Sequence, residues 1–511
     1  MPEPMNGTRP VVATRAGRVA GTWRNGIAEF RAIPYAAAPV GALRFSPPEP
    51  RPAWDGVYEA ASAGPAPPQP KAPGEFAGIF STRLPTGEDC LRLNVWTPDP
   101  GAAGLPVLVW IHGGGFMIGS GAEPYYDGAT FARDGVVCVS INYRLGILGY
   151  LYSQTEGAGN FGTLDQIAAL RWVQENIAAF GGDPDRVTVA GESAGGMAVG
   201  ILLAAPAARG LFRRAIAQSG AAHHGISLDS SRRVAEQFCA LVAVEREDSE
   251  ALRALDAAGI VAAQERLFGD VVASGDVNRY GAEVIATGMP FQPAIGGDVL
   301  DRRAIEIVAA GGARGVDLMV GYTSEEFRLF LGVSPAPITF EEVLGAYEAA
   351  FPGRGGENYE IYRRNRPHAD PSELMAALAT DRMFRVPAVR LADAQSNHNR
   401  STFCYRLSWR SPAFGGRIGA GHGIDVPLVW QCLDDPLAQQ LLGPSPPLRL
   451  AQDMHSAWVA FVAAGDPSHP AIPDWPHYSS ALPAVMDFDE PTRVLLAPGA
   501  DEVALWEDLI R

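Results

Sequence analysis

The sequence predicts an α/β protein built on a large, mainly parallel central sheet with helices on both faces. Two near-continuous apolar runs, LPVLVWI at residues 105–111 and VVCVSINY at 136–143, have the composition of strands covered on both sides. Strand-like and helix-like segments alternate through the middle of the chain, as crossover connections between parallel strands require. Each chemically suggestive motif follows directly on one of these strands, at the carboxyl edge where such sheets bind ligands.

Taken in order, residues 11–54 alternate short apolar runs with Gly and Pro turns and read as a β-rich entry. Residues 61–87, rich in Pro, Ala and Gly without periodicity, read as a long surface loop close to a site mouth. LRLNVW at 91–96 is a strand candidate, followed by the two apolar runs. LDQIAALRWVQENIAAF at 164–180 spaces Leu164, Ile167, Leu170, Val173 and Ile177 as one helix face and stops at Gly181-Gly182. VTVA at 187–190, FRRAIAQSG at 212–220, DLMVGY at 317–322 and TFCYRLSW at 402–409 are further strands. Helical patterns over 221–315 and 335–400 read as insertions that wall a pocket. No Ser/Gly linker or repeat divides the chain, so one catalytic domain over 1–511 is expected.

Composition narrows the function classes. An apolar fraction of 47% against 19% charged residues is that of a folded globular enzyme. The net charge of −16 disfavours nucleic acid as a partner, because phosphate binding needs a basic face. No stretch approaches the roughly 18 apolar residues of a membrane span, and the N-terminal residues have no apolar signal core. Five scattered cysteines do not form a disulfide framework, which points to a reducing cytoplasm; the sequon at Asn6 is then incidental. No HExxH or CxxC occurs, so neither a metal nor a cofactor is expected.

The chemistry centres on RVTVAGESAGGMAVG, residues 186–200: a strand, a Gly-flanked turn carrying Ser193, and a helix. A serine hydroxyl is a weak nucleophile and must be held exposed, beside a base, with amides aimed at the developing oxyanion. Upstream, HGGGF at 112–116 follows the first apolar run and offers consecutive glycine amides. Gly114, Gly115 and the amide of Ala194 are the expected oxyanion hole.

These motifs, together with IPYAAAPVGALRF, EDCLRLNVW, INYRLGILGYL, GYTSEEF, GAGHGIDVPLVW and WVAFVAAGDPSHPAIPDWPHY, resemble those of the type-B carboxylesterase family, within the α/β-hydrolase fold. The resemblance covers nearly the whole chain. It implies a Ser-Glu-His triad of Ser193, Glu326 and His422, an acyl-enzyme, and hydrolysis of carboxylic esters; the apolar candidate pocket residues Phe116, Met117, Phe327 and Leu329 suggest short to medium acyl or aryl esters. The family's acid segment is similar to GTTxDEG, and the chain departs from it with Glu325 before Glu326 and Phe327 after it, so Glu325 is the competing acid. Ser219 matches a family serine that supports the acid and the histidine. Cys90 matches one half of a disulfide of secreted relatives, but the place of its partner, GPAPPQP, holds no cysteine, and a free thiol is expected.

Other expectations complete this reading. His112 is a structural residue orienting the glycine loop, and His223 and His224 line the pocket or lie at the surface. Phe116, Met117, Ser219, Phe327 and Leu329 are the candidate pocket residues. A monomer or small homo-oligomer is expected. Two rivals remain. GAGNFG at 157–162 with Asp183 has the form of a dinucleotide fingerprint, but SQTE separates it from the preceding apolar run. The same fold also serves as a catalytically idle binding protein, and the survival of nucleophile, acid, base and hole argues against that.

Overall fold

The computed structural model describes residues 9–72, 77–153, 159–297, 299–332 and 337–509. An eleven-stranded mixed sheet runs through it. In chain order its strands are β1 (Thr22–Arg24), β2 (Ile27–Pro34), β3 (Arg92–Thr97), β4 (Leu105–Ile111), β5 (Val137–Ile141), β6 (Gly182–Glu192), β7 (Arg214–Gln218), β8 (Asp317–Thr323), β9 (Thr402–Leu407), β10 (Ala484–Phe488) and β11 (Arg493–Leu496). Their spatial order is β11-β10-β9-β8-β7-β6-β4-β5-β3-β2-β1. The centre, from β5 through β10, is parallel, and antiparallel pairs close both edges.

The apolar runs are continuous because alternate residues feed two different cores. On β4, Val107, Val109 and Ile111 enter one cluster while Leu108 and Trp110 enter the other. On β9, Cys404 faces the first and Phe403, Tyr405 and Leu407 the second. A strand buried on both faces has no polar side to alternate with.

The helices that bear on the site are α1 (Ala77–Phe80), α2 (Phe161–Asn176), α3 (Ala194–Ala204), α4 (Phe327–Gly332), α5 (Pro371–Thr380), α6 (Val386–Ser396), α7 (Asp425–Trp430) and α8 (Leu448–Ala464). α2 and α3 pack on the first core, α7 and α8 on the second. α2 ends at Asn176, short of the expected stop, and a 3-10 turn over Ile177–Phe180 carries the chain to Gly181, whose φ of 87° is the left-handed conformation that terminates a helix at no steric cost. At its other end Arg144, just beyond β5, makes a bidentate pair with Asp165 at 2.8 Å, both buried. Leaving one such charge unpaired costs about 3–5 kcal/mol, so strand and helix are tied firmly together.

Two expectations about the insertions need correction. The 61–87 stretch is not simply a surface loop. Ala66–Pro70 are buried, α1 forms at its far end, and 73–76 lie outside the described residues. The amide of Gln69 is the reason: it accepts from Gly119 N at 2.7 Å and donates to Gly119 O at 2.8 Å, which fastens the loop to the chain just after the glycine motif. Likewise 335–400 is not all insertion. α6 packs on β8 and β9 and is the crossover helix between them. The helices before it build a third core with Trp506.

The fingerprint at 157–162 fails on context. Gly157 and Ala158 lie outside the described residues, Phe161 and Gly162 open α2, and the element before them is the helix Gly146–Tyr150. Among the described residues no helix is long and apolar enough to cross a membrane, and no group of three His, Cys, Asp or Glu could hold a metal.

Candidate active site

β6 ends at Glu192, and the chain reverses into α3 through Ser193 at φ 57°, ψ −125°. A non-glycine residue in this region is strained, and such strain persists only where the surroundings enforce it. Here Ser193 N donates to Gln218 O at 2.9 Å and Met197 N to Ser193 O at 2.8 Å. The turn also needs bare backbone beside it. A Cβ on Gly195 would lie 2.0 Å from Ile111 O, at the end of β4. Ser193 is left partly open, as a nucleophile must be.

The glycine loop leaves β4 alongside this elbow. A Cβ on Gly113 would stand 3.0 Å from the Ser193 Cβ, which measures how closely the two segments pass. Gly114 has φ 106°, and its O accepts from Met117 N and Ile118 N at 3.0 and 2.9 Å. The amides of Gly114 and Gly115 have no hydrogen-bond partner among the described residues, and that of Ala194 is the free first donor of α3. His112 is buried and stacks on Tyr143 at 4.6 Å. Its Nδ1 lies 2.8 Å from Gly113 O, and burial pushes its pKa down to about 4. It is a neutral prop for the loop.

The acid and the imidazole arrive from the carboxyl ends of β8 and β9. Glu326 is buried, with Oε1 accepting from Thr323 N at 2.7 Å and Oε2 2.6 Å from His422 Nδ1. Glu325, the competing acid, points elsewhere: its Oε2 accepts from Ala420 N at 2.9 Å and pairs with Arg410 at 3.0 Å. His422 Nε2 lies 3.1 Å from Oε1 of Glu192, the residue directly before Ser193. Neither of those two atoms has a hydrogen-bond partner, so Nε2 is not hydrogen-bonded to Ser193 Oγ either.

Three carboxylates surround one imidazole. Burial pushes Glu192 up to about 8. Asp425, also raised by burial, accepts at Oδ2 from Gln218 Nε2 at 2.8 Å and Tyr405 OH at 3.0 Å. Burial alone would lower His422, but Glu192 and Glu326 raise it to about 9. Burial favours neutral Glu192 while its ionised form favours the imidazolium, so the two groups titrate as a pair.

The pocket residues divide. Phe327 is half-buried and packs on Phe330 at 5.1 Å and Phe384 at 5.9 Å. Met117 is also half-buried, at the edge of the first core. Phe116 does not line a pocket: at φ 58° its ring turns inward and meets Tyr150 edge-on at 5.2 Å. Leu329 does not either, because it lies in the second core beneath the histidine loop. Ser219 is buried at φ 46°, and its Oγ has no hydrogen-bond partner, so it bonds to neither Glu326 nor His422. Burial lowers His223 and His224 to about 3 and 4, and it is His422 that meets the acid.

Several neighbours went unread in the sequence. Phe330 and Phe384 lie 5.1 and 4.8 Å from the His422 ring, and Phe80 on α1 stacks on Phe330 at 6.4 Å. Phe384 projects from a π-helical turn, Asp381–Arg385, between α5 and α6. Glu192 and Asp425 sit inside the serine and histidine motifs and could have been found there as acids beside a base. Phe384 carries no such signal.

A parallel sheet ending in a serine elbow, with a carboxylate–imidazole pair brought in from later strands, defines an α/β-hydrolase. The model of the carboxylesterase family matches residues 8–506. The para-nitrobenzyl esterase of Bacillus subtilis (strain 168) is 36% identical over 482 residues, spanning 92% of this chain and 93% of that protein. The phenmedipham hydrolase of Pseudarthrobacter oxydans is 35% identical over 94% of this chain and 95% of its own. Among solved structures, a Geobacillus stearothermophilus carboxylesterase aligns with TM-score 0.85 and 36% identity, covering 98% of this chain and all of that one. The chain belongs to the carboxylesterase family and is a carboxylic ester hydrolase.

Proposed function

We propose that the chain is a serine carboxylesterase working through Ser193, His422 and Glu326, with Gly114, Gly115 and Ala194 as the oxyanion hole. The observation that carries this reading is the 2.6 Å contact between Glu326 and His422 Nδ1, which turns Nε2 to Glu192, the residue preceding Ser193. His422 Nε2 takes the Ser193 proton as Oγ attacks the ester carbonyl carbon. The three amides bind the resulting oxyanion. The intermediate then collapses as His422 returns the proton to the leaving alkoxide, giving an acyl-enzyme that water cleaves by the same route. Each hole donor contributes on the order of 3 kcal/mol to lowering the barrier.

Because the imidazole delivers its proton to the leaving group, rings packed on it face the alcohol half of the ester. Phe330, half-buried on the imidazole, with Phe80 stacked on it and Phe384 buried behind, therefore supports apolar and aromatic alcohols, with short to medium acyl groups opposite. The relatives' names, spanning para-nitrobenzyl, phenmedipham and fumonisin B1, fit a broad range. We further read residues 1–511 as one catalytic domain, a monomer or small homo-oligomer. All five cysteines, Cys90 included, are free, which supports a cytoplasmic setting.

The test is stoichiometric labelling by a phosphonofluoridate together with a hydrolysis profile across acyl lengths and alcohols. One label on Ser193 and a preference for aryl over small alkyl alcohols are expected; a label elsewhere, or an enzyme that turns over yet resists the reagent, refutes the triad.

The carboxylates also set a pH dependence. Turnover needs neutral His422, and its partners hold the proton, so kcat/KM rises with pH through an inflection above the ordinary 6.5 and toward about 9. Glu192→Gln removes one of these attractions and shifts that inflection to lower pH. A pH–rate profile of both proteins checks the sign, and an unmoved inflection contradicts the account.

A further inference from the structure

His422 lies on an irregular segment between β9 and α7, where no sheet ladder fixes the backbone. Something else must set the imidazole to a fraction of an ångström, because a misplacement of about 1 Å costs on the order of 100-fold in rate. We propose that Glu325 is a positioning residue for the base: with Arg328, Glu373 and Arg410 it forms a clip that fixes the loop carrying His422. This rests on the triad reading above.

The two neighbouring glutamates divide the work. Glu325 N donates to Ala420 O at 3.0 Å, Ala420 N donates to Glu325 Oε2 at 2.9 Å, and His422 N donates to Glu326 O at 3.1 Å. The Glu325 carboxylate thus serves as an acceptor for a loop amide, two residues before the histidine, while Glu326 takes the ring. Arg328 grips the loop from the other side, donating from Nε to Arg417 O at 3.1 Å and from Nη2 to Gly416 O at 2.9 Å. Its guanidinium also pairs with Glu325 at 3.5 Å and with Glu373. Arg410 bridges the same two carboxylates at 3.0 and 3.5 Å. Glu373 is itself fixed by a capping box with Asp370 at the start of α5. The loop is shaped to admit the clip: a Cβ on Gly419 would lie 2.4 Å from Glu325 Oε2.

Two opposite pairs of charges balance within the clip, and Arg410 is exposed, so its ion pairs add little stability. What the clip supplies is a set of directed bonds to main-chain atoms of residues 416–420. Remote groups matter to a reaction through that kind of placement.

The experiment measures kcat and KM on an aryl ester for wild type, Glu325→Ala, Glu325→Gln, Arg328→Ala and Ser193→Ala, with kcat expressed per phosphonofluoridate-labelled site for the four proteins that keep Ser193 and per mole of chain for Ser193→Ala. That normalisation removes any loss of folded protein. Glu325→Ala and Arg328→Ala are expected to lose about 10- to 100-fold in kcat per labelled site with KM within about threefold. Glu325→Gln, whose amide oxygen still accepts from Ala420 N, is expected to return to within about threefold of wild type. Alanine variants with wild-type kcat per site overturn the proposal, as does a glutamine variant as slow as the alanine one. If Glu325→Ala yields no folded protein, Arg328→Ala decides in the same way. A Ser193→Ala protein that keeps turning over, by contrast, removes the triad reading and not the clip alone.

Discussion

Ser193→Ala is expected to lower kcat by about 10⁶, equivalent to about 8 kcal/mol of barrier. His422→Ala is expected to lose about as much, and the double variant no more than either alone. The reason is that nucleophile and base act as one unit: without Nε2 the hydroxyl keeps its proton, and without Oγ the imidazole has nothing to activate. What remains belongs to the glycine loop, which is built independently. Its shape rests on His112 stacked on Tyr143 and on Gln69 clasping Gly119, none of which touches the triad. Each variant should therefore retain a residual rate above the uncatalysed reaction. Single-turnover assays with the three proteins check this; losses that multiply in the double variant rule out a shared function for Ser193 and His422.

The contrast between local and non-local encoding explains how much of this was legible. The elbow and the glycine loop are contiguous in sequence, and the requirement for small residues there is steric and local, so both could be read directly. The sheet was legible for a similar reason: strands buried on both faces leave continuous apolar text. Glu326 and His422 came through family resemblance. Nothing local separates Glu326 from Glu325; the turn after β8 folds one carboxylate back on Thr323 N and sends the other to Ala420. The pocket was read least well because adjacency to a motif says nothing about side-chain direction. On α4, Leu329 follows the buried Glu326 by three residues and shares its inward face, while Phe327 and Phe330, also three apart, turn to the site. At Phe116 the left-handed backbone that shapes the hole turns the ring into the core. Phe384 depends on a π-helical turn, which shifts a helix face without leaving a compositional mark.

Glu326→Gln should be far more damaging than its near-identical shape suggests, and the hydrogen bonds around it say why. In the native site Oε1 accepts from Thr323 N at 2.7 Å and Oε2 accepts from His422 Nδ1–H at 2.6 Å. An amide in the same place must satisfy both neighbours with one oxygen and one NH2. Thr323 N is a backbone donor and cannot change, so it claims the carbonyl oxygen, and the NH2 is turned toward His422. Nδ1 then becomes the acceptor, and the ring proton moves to Nε2, where it blocks transfer from Ser193. The expected loss is about 10⁴ in kcat, or about 5 kcal/mol, with substrate binding little changed. Glu326→Asp keeps two acceptors but shortens the reach, so it should lose less than the glutamine variant despite the larger change in shape. Measuring kcat and KM for the two side by side, with structures to confirm an unmoved loop, is the check. A glutamine variant faster than the aspartate one would mean that the carboxylate's length, and not the tautomer it imposes, governs the base.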